Sequence, residues 1–127
     1  MSGQARNWCV ARGQILGAGF TDIWRCPGGY NFILKAIHFT NWTSTAIAAR
    51  FELWPGGASV GLSLLRTTVE PDTDYTWEGW TVVNNQDAFT VWTDGAPLVY
   101  WVAGALLTTD LTAPPTASLL PRLQPGP

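Results

Sequence analysis

The sequence predicts an all-β chain folded as an antiparallel β-sandwich, jelly-roll-like, with extended arms at both ends. Three observations carry this. Short apolar runs are punctuated by turn residues about every 8–12 residues, the spacing of a sandwich or jelly roll. No stretch joins a sustained 3.6-residue period to helix-type composition, and the gaps between runs are too short for the helices of an α/β fold. Glycine (13) and proline (9) are plentiful, and 8 tryptophans are spread among the runs. Tryptophan offers large apolar area with one polar edge, which suits cores and interfaces.

Residues 1–19 mix charge, glycine and the apolar pair Ile15-Leu16, and read as an N-terminal arm. Phe20 to Cys26 is the first strand, stopped by Pro27-Gly28-Gly29. Proline there presets φ and glycine permits positive φ. Tyr30 to Thr40 is the clearest strand. Ile33, Ile37 and Phe39 share one face, interrupted by Lys35, and Phe32, Leu34 and Ala36 line the other. A strand apolar on both faces is central or covered on both sides. After the polar turn Asn41 to Ser44, Ile47, Ala49, Phe51 and Leu53 alternate with Ala48, Arg50, Glu52 and Trp54, a half-buried strand closed by Pro55-Gly56-Gly57.

Val60 to Val69 is a strand of weaker alternation, and Pro71 to Asp74 a turn. Tyr75 and Trp77 then share a face, with Trp80 on the opposite one, and the strand runs to Val83. Asn84 to Asp87 is a polar turn. Phe89, Val91 and Thr93 lead to Asp94-Gly95, a hairpin signal. Leu98 to Leu107 is the last strand, too short for a membrane span. The sandwich domain thus covers 20–107.

Residues 108–127 form a proline-rich C-terminal arm, because Pro114, Pro115, Pro121, Pro125 and Pro127 forbid regular sheet or helix. Leu111, Leu119, Leu120 and Leu123 remain among the prolines and read as anchors on a neighbouring subunit. Proline lowers the entropic loss of ordering such an arm, since its φ is already fixed.

Composition narrows function. Charged residues are 13% of the chain, about half the usual globular share, so much of the surface is expected to face another protein. A net charge of −2 supplies no footprint for nucleic acid. The start is polar and lacks the apolar core of a signal peptide, so Cys9 and Cys26 are expected as free thiols made in the cytoplasm. One histidine, His38, cannot supply the convergent ionisable groups of an active site, so no enzyme is expected. Cys9, Cys26 and His38 lack metal-ligand spacing, and Glu70, Asp72 and Asp74 read as a solvated turn; no metal or cofactor is expected. Asn41-Trp42-Thr43 matches a glycosylation sequon, which carries no weight without a secretory signal. Trp77, Trp92 and Trp101 are assigned to the core by default, and Trp42, Trp54 and Trp80 to partner contact.

Residues 20–107 resemble the small β-sandwich virion proteins of tailed bacteriophages. The likeness runs through the short strand, Pro-Gly turn and long strand of 22–41, through 45–54 with its glycine-rich loop, and through Trp77 to Asp87. Gln86 stands where that family commonly has glycine. The closing strand Val99 to Leu107 matches with its Ala103-Gly104 step. The resemblance implies a structural role without catalytic residues, assembly in the host cytoplasm, and a place in the virion. It implies partners as well: other copies of the chain, often as trimers, and the major capsid or tail proteins. The function expected is capsid decoration or cementing. The alternative is a tail or baseplate module that contacts the host surface, with glycan stacking through Trp42, Trp54 or Trp80. Neither nucleic acid nor membrane is an expected partner.

Overall fold

The computed structural model describes residues 6–56, 61–108 and 124–125. The strands are β1 (Arg6–Ile15), β2 (Gly19–Arg25), β3 (Tyr30–Asn41), β4 (Ile47–Trp54), β5 (Leu62–Val69), β6 (Thr73–Val83), β7 (Ala88–Thr93), β8 (Leu98–Thr108) and the two-residue β9 (Gln124–Pro125). They form two antiparallel sheets, in the orders β6-β3-β8-β1-β9 and β2-β7-β4-β5. The pairings β1·β8, β2·β7, β3·β6 and β4·β5 are those of one long hairpin of eight strands. Rolling that hairpin adds β3·β8 and β4·β7 and closes the jelly roll.

The structure corrects the start of the sandwich. Residues 6–15, placed in an arm by their mixed composition, form β1, paired along its length with β8. Only Val10 and Ile15 among the apolar residues of 9–15 are deeply buried with Cys9, and the strand is held mainly by its ladder. At the other end, Gln124 and Pro125 pair with Cys9 and Trp8 on the outer side of β1. That is a sheet edge, where proline's missing N–H is tolerated. Leu111, Leu119, Leu120 and Leu123 lie outside the described residues.

Asp94-Gly95 does not close a hairpin. β7 pairs with β2 and β4, β8 pairs with β1 and β3, and residues 94–97 carry the chain between sheets. Asp94 turns that crossing back onto β4: its carboxylate accepts from the Ala48 N–H at 2.8 Å, and its own N–H donates to the Ala48 carbonyl at 3.1 Å.

The core lies between the sheets. Phe32, Leu34, Ile37 and Phe39 of β3 meet Phe51 and Phe89 of the other sheet, all of them fully buried. This differs from strict alternation along β3. The register of β3 shifts between Leu34 and Ala36 against both β8 and β6. A bulge there adds one residue and swaps the faces, so Phe32 and Leu34 join Ile37 and Phe39, and Ile33 points outward. Lys35, the charged residue that interrupts the apolar pattern, sits exposed at the bulge.

Two polar side chains are buried as clamps. Asn41 at the end of β3 is fully buried, and its Nδ2 donates to the carbonyls of Thr45 (2.8 Å) and Val69 (2.9 Å). Its Oδ1 accepts from the N–H and hydroxyl of Thr43. Every hydrogen-bonding site of the amide is thereby used, and the sequon asparagine is closed to modification in the folded chain. Asp87 accepts from the Gly56 N–H (2.9 Å) and the Asn84 N–H (3.0 Å), tying the end of β4 to the turn between β6 and β7.

Candidate functional site

A jelly roll leaves two outer sheet faces, and Trp24, Trp54, Trp77, Trp80, Trp92 and Trp101 are distributed between them and the core. Trp77 packs against the core, as its sequence pattern predicts. Trp24 does as well, because a register shift between Asp22 and Trp24 in β2 turns it inward. There it lies against Phe32 and Phe89, with ring centroids 5.0 and 5.6 Å apart. Trp92 and Trp101, assigned by default to the core, instead stand half-buried on outer faces. Trp92 alternates with the buried Val91 and Thr93, and Trp101 is paired with His38 and Arg12 across the five-stranded sheet.

The outer face of the five-stranded sheet carries an apolar patch across one end of β6, β3 and β8. Val82, Ile33 and Ala105 form one cross-strand row, with Trp80 beside Val82 on β6 and Leu107 beside Ala105 on β8. Trp80 is 68% exposed and Val82 46%. Trp42 is 72% exposed, just beyond β3, on the turn that the Asn41 amide fixes. His38 lies on the same sheet face, with Nδ1 2.7 Å from the Thr76 hydroxyl and Nε2 3.9 Å from Asp74. Thr76 is its direct cross-strand neighbour, so ladder register alone accounts for this contact. Among the described residues no group of three or more His, Cys, Asp or Glu side chains is placed to hold a metal ion.

The outer face of the four-stranded sheet is more polar. Arg50 lies over Trp92, 4.5 Å from its centroid, and 5.6 Å from the centroid of Phe20. Its Nε is buried without a hydrogen-bond partner. The guanidinium is instead held between the flanking π faces, with its Nη1 3.9 Å from Glu52. Glu52 is only 7% exposed and also accepts from Trp54 Nε1 at 3.2 Å. Trp54 is thus half-buried and fixed in orientation, unlike Trp42 and Trp80. Opposite it on β2, Asp22 accepts from the Thr90 hydroxyl at 3.0 Å, and Arg25 donates to the Gln86 carbonyl at 2.6 Å. The sequence placed Trp54 with Arg50 and Glu52. It did not reveal Asp22, Arg25 and Thr90, whose approach depends on β2 pairing with β7 nearly seventy residues later.

Cys9 and Cys26 are both free and buried. The Cys26 thiol donates to the Tyr30 carbonyl at 3.4 Å. Burial, and then the nearby Asp87 charge, push it from an ordinary 9.0 up to about 12. Burial raises Cys9 and Tyr100 too. Two results follow. In the native protein at pH 8, Cys26 will not react with Ellman's reagent, whereas both thiols will titrate in denaturant; prompt native reaction at Cys26 would contradict its burial. The unfolded chain releases the Cys26 proton near 9, the native chain near 12. The native state therefore holds more protons between those values. The stability that this group contributes is complete below about pH 9 and declines above it, measurable as a falling urea midpoint in the alkaline range.

No protein-family model matches the sequence, and no curated protein matches it. Solved structures do match in shape. A chain of infectious bursal disease virus, Gx strain, superposes with a TM-score of 0.54 at 10% identity, over 90% of this chain and 35% of that one. This chain therefore spans about a third of that viral chain's length. The Eiger TNF of S. frugiperda aligns at a TM-score of 0.44 and 10% identity, over 90% of this chain and 97% of that one. A chain of Bacillus endospore appendages, described as disulfide-linked pili, aligns at 0.48 and 12%, over 87% of this chain and 95% of that one. The chain is an all-β sandwich that shares its fold with part of a chain of infectious bursal disease virus.

Proposed function

We propose that the chain is a structural subunit of a tailed-phage particle, decorating or cementing the capsid, with the outer face of the five-stranded sheet as its contact surface. The observation that carries this reading is the apolar row Val82–Ile33–Ala105 with the exposed Trp80 beside it. A water-facing sheet ordinarily alternates apolar-in with polar-out. Here the row Val82–Ile33–Ala105 is apolar on the outer face, with Val82 and Trp80 exposed at its β6 end, and exposed apolar surface of this kind marks an interaction site. The low charge content points the same way, and the likeness in fold to a chain of infectious bursal disease virus supports it. Buried between subunits, each 100 Å² of apolar surface would contribute roughly 2.5 kcal/mol before the losses of association. The mechanism is mechanical: the contact raises the force needed to separate shell subunits.

The test is the double variant Trp80→Glu, Val82→Glu. Both side chains are exposed, so the purified chain should stay folded, with stability changed by less than about 1 kcal/mol. Its copy number on purified particles, counted by quantitative mass spectrometry, should fall at least ten-fold. Wild-type incorporation of the folded variant would sink this reading of the surface.

A further inference from the structure

We propose that the outer face of the four-stranded sheet carries a saccharide-binding cleft, formed by β2, β7 and β4, that takes a neutral sugar. This goes beyond the structural role and is independent of the five-stranded face that serves it. The cleft is a consequence of residue size along one strand. β7 runs between β2 and β4, and its outward residues are Ala88, Thr90 and Trp92. Ala88 and Thr90 are small, so the floor sinks there. Phe20, Asp22 and Arg25 of β2 stand along one wall, and Trp54 and Pro55 along the other. Towards Trp92 the same face is filled by Arg50, stacked between Trp92 and Phe20. The open cleft has a volume of about 450 Å³, within the range of small-molecule sites.

The lining matches the two-sided chemistry of a sugar ring. A pyranose has an apolar face of C–H groups and a rim of hydroxyls. Trp54 and Pro55 offer apolar surface, and the indole is held by two contacts. Its N–H is bonded to Glu52, and Gly61 packs over the pyrrole ring on one face of the indole, so close that a Cβ at 61 would stand 2.5 Å from Nε1. An aromatic fixed before binding loses little entropy when a ring stacks on it. Facing it, Asp22 is exposed, and Thr90 holds one carboxylate oxygen, leaving the other to accept from a hydroxyl. Arg25 is anchored through one nitrogen to Gln86 and retains further N–H donors for a sugar oxygen. The two opposite charges balance, which favours a neutral sugar over an acidic one. A peptide strand finds less here, since the cleft opens on a sheet face, whereas strand addition uses a sheet's edge.

The experiment applies the full-length purified chain to a printed array of neutral and sialylated oligosaccharides, then titrates the strongest neutral ligand by calorimetry. Binding of neutral sugars is expected, with affinity reduced at least ten-fold by Asp22→Ala and by Trp54→Ala, and unchanged by Trp42→Ala. Asp22 is exposed, so Asp22→Ala keeps the test valid if Trp54→Ala fails to fold. The proposal is overturned if no neutral saccharide binds, if only sialylated ones bind, or if binding survives Asp22→Ala. Capture of proline-rich peptides by the cleft without sugar binding overturns it too. Failure here leaves the virion role intact, because particle incorporation reads the other sheet.

Discussion

Phe89→Ala will lower the stability of the fold by about 3–5 kcal/mol. Phe89 is fully buried on β7, at the centre of an aromatic cluster that joins both sheets. Its ring lies 4.9 Å from Phe51, 5.6 Å from Trp24 and 6.1 Å from Phe32, centroid to centroid. Truncation removes the transfer energy of the ring and leaves a void with aromatic groups on three sides. Those neighbours sit on β2, β3 and β4, whose ladders prevent collapse into the space. A loss of this size is a large part of the roughly 5–15 kcal/mol typical of a folded domain. Urea denaturation should show the midpoint falling at unchanged slope. A loss under about 1 kcal/mol would mean that the two sheets do not meet through this residue.

Gly104→Ala should be nearly as severe, although it adds only a methyl group. Gly104 lies on β8 between Leu34 of β3 and Trp8 of β1. An added Cβ would collide with the Ile33 carbonyl oxygen and approach the Phe32 ring to 2.6 Å. The carbonyl cannot retreat, since β3 is held on its other side by β6. Overpacking costs about 1–3 kcal/mol where side chains can yield. Here backbone must yield, so about 3 kcal/mol is expected. Gly17→Ala is the matched control. No atom lies within 4 Å of its added Cβ, and the change should stay within about 1 kcal/mol of wild type. Equal stability of the two variants would refute the close approach of β8 to β3.

These two residues also mark what the sequence disclosed. Phe89 belongs to a run whose alternation with Val91 and Thr93 reads directly as a buried face, and all three are buried. Strand positions were legible in this way from Phe20 to Leu107, because each run ends at a proline, glycine or polar turn. Gly104 was legible only as a small-residue step; its need for a missing side chain arises from Ile33, seventy positions away. The bulges explain the remaining errors of face. At Lys35 one extra residue exchanges the sides of β3, and in β2 a shift near Ile23 turns Trp24 inward while Asp22 stays out. A lone charge inside an apolar run is the one local sign of the first, and the second left none. β1 escaped because ladder bonds, which hold it, carry no composition signal. The cleft was half visible: Trp54 followed from parity, whereas Asp22, Arg25 and Thr90 meet only through the rolled-up pairing of β2 with β7.

The central claim, a place in the virus particle, is tested most directly by electron microscopy of intact particles from the lysate that produces this chain. The probe is gold-labelled antibody raised against the purified chain. Label distributed over the head is the predicted result. Particles free of label, with the epitope shown to be accessible, would contradict a virion role, and label confined to the tail would contradict its placement on the capsid.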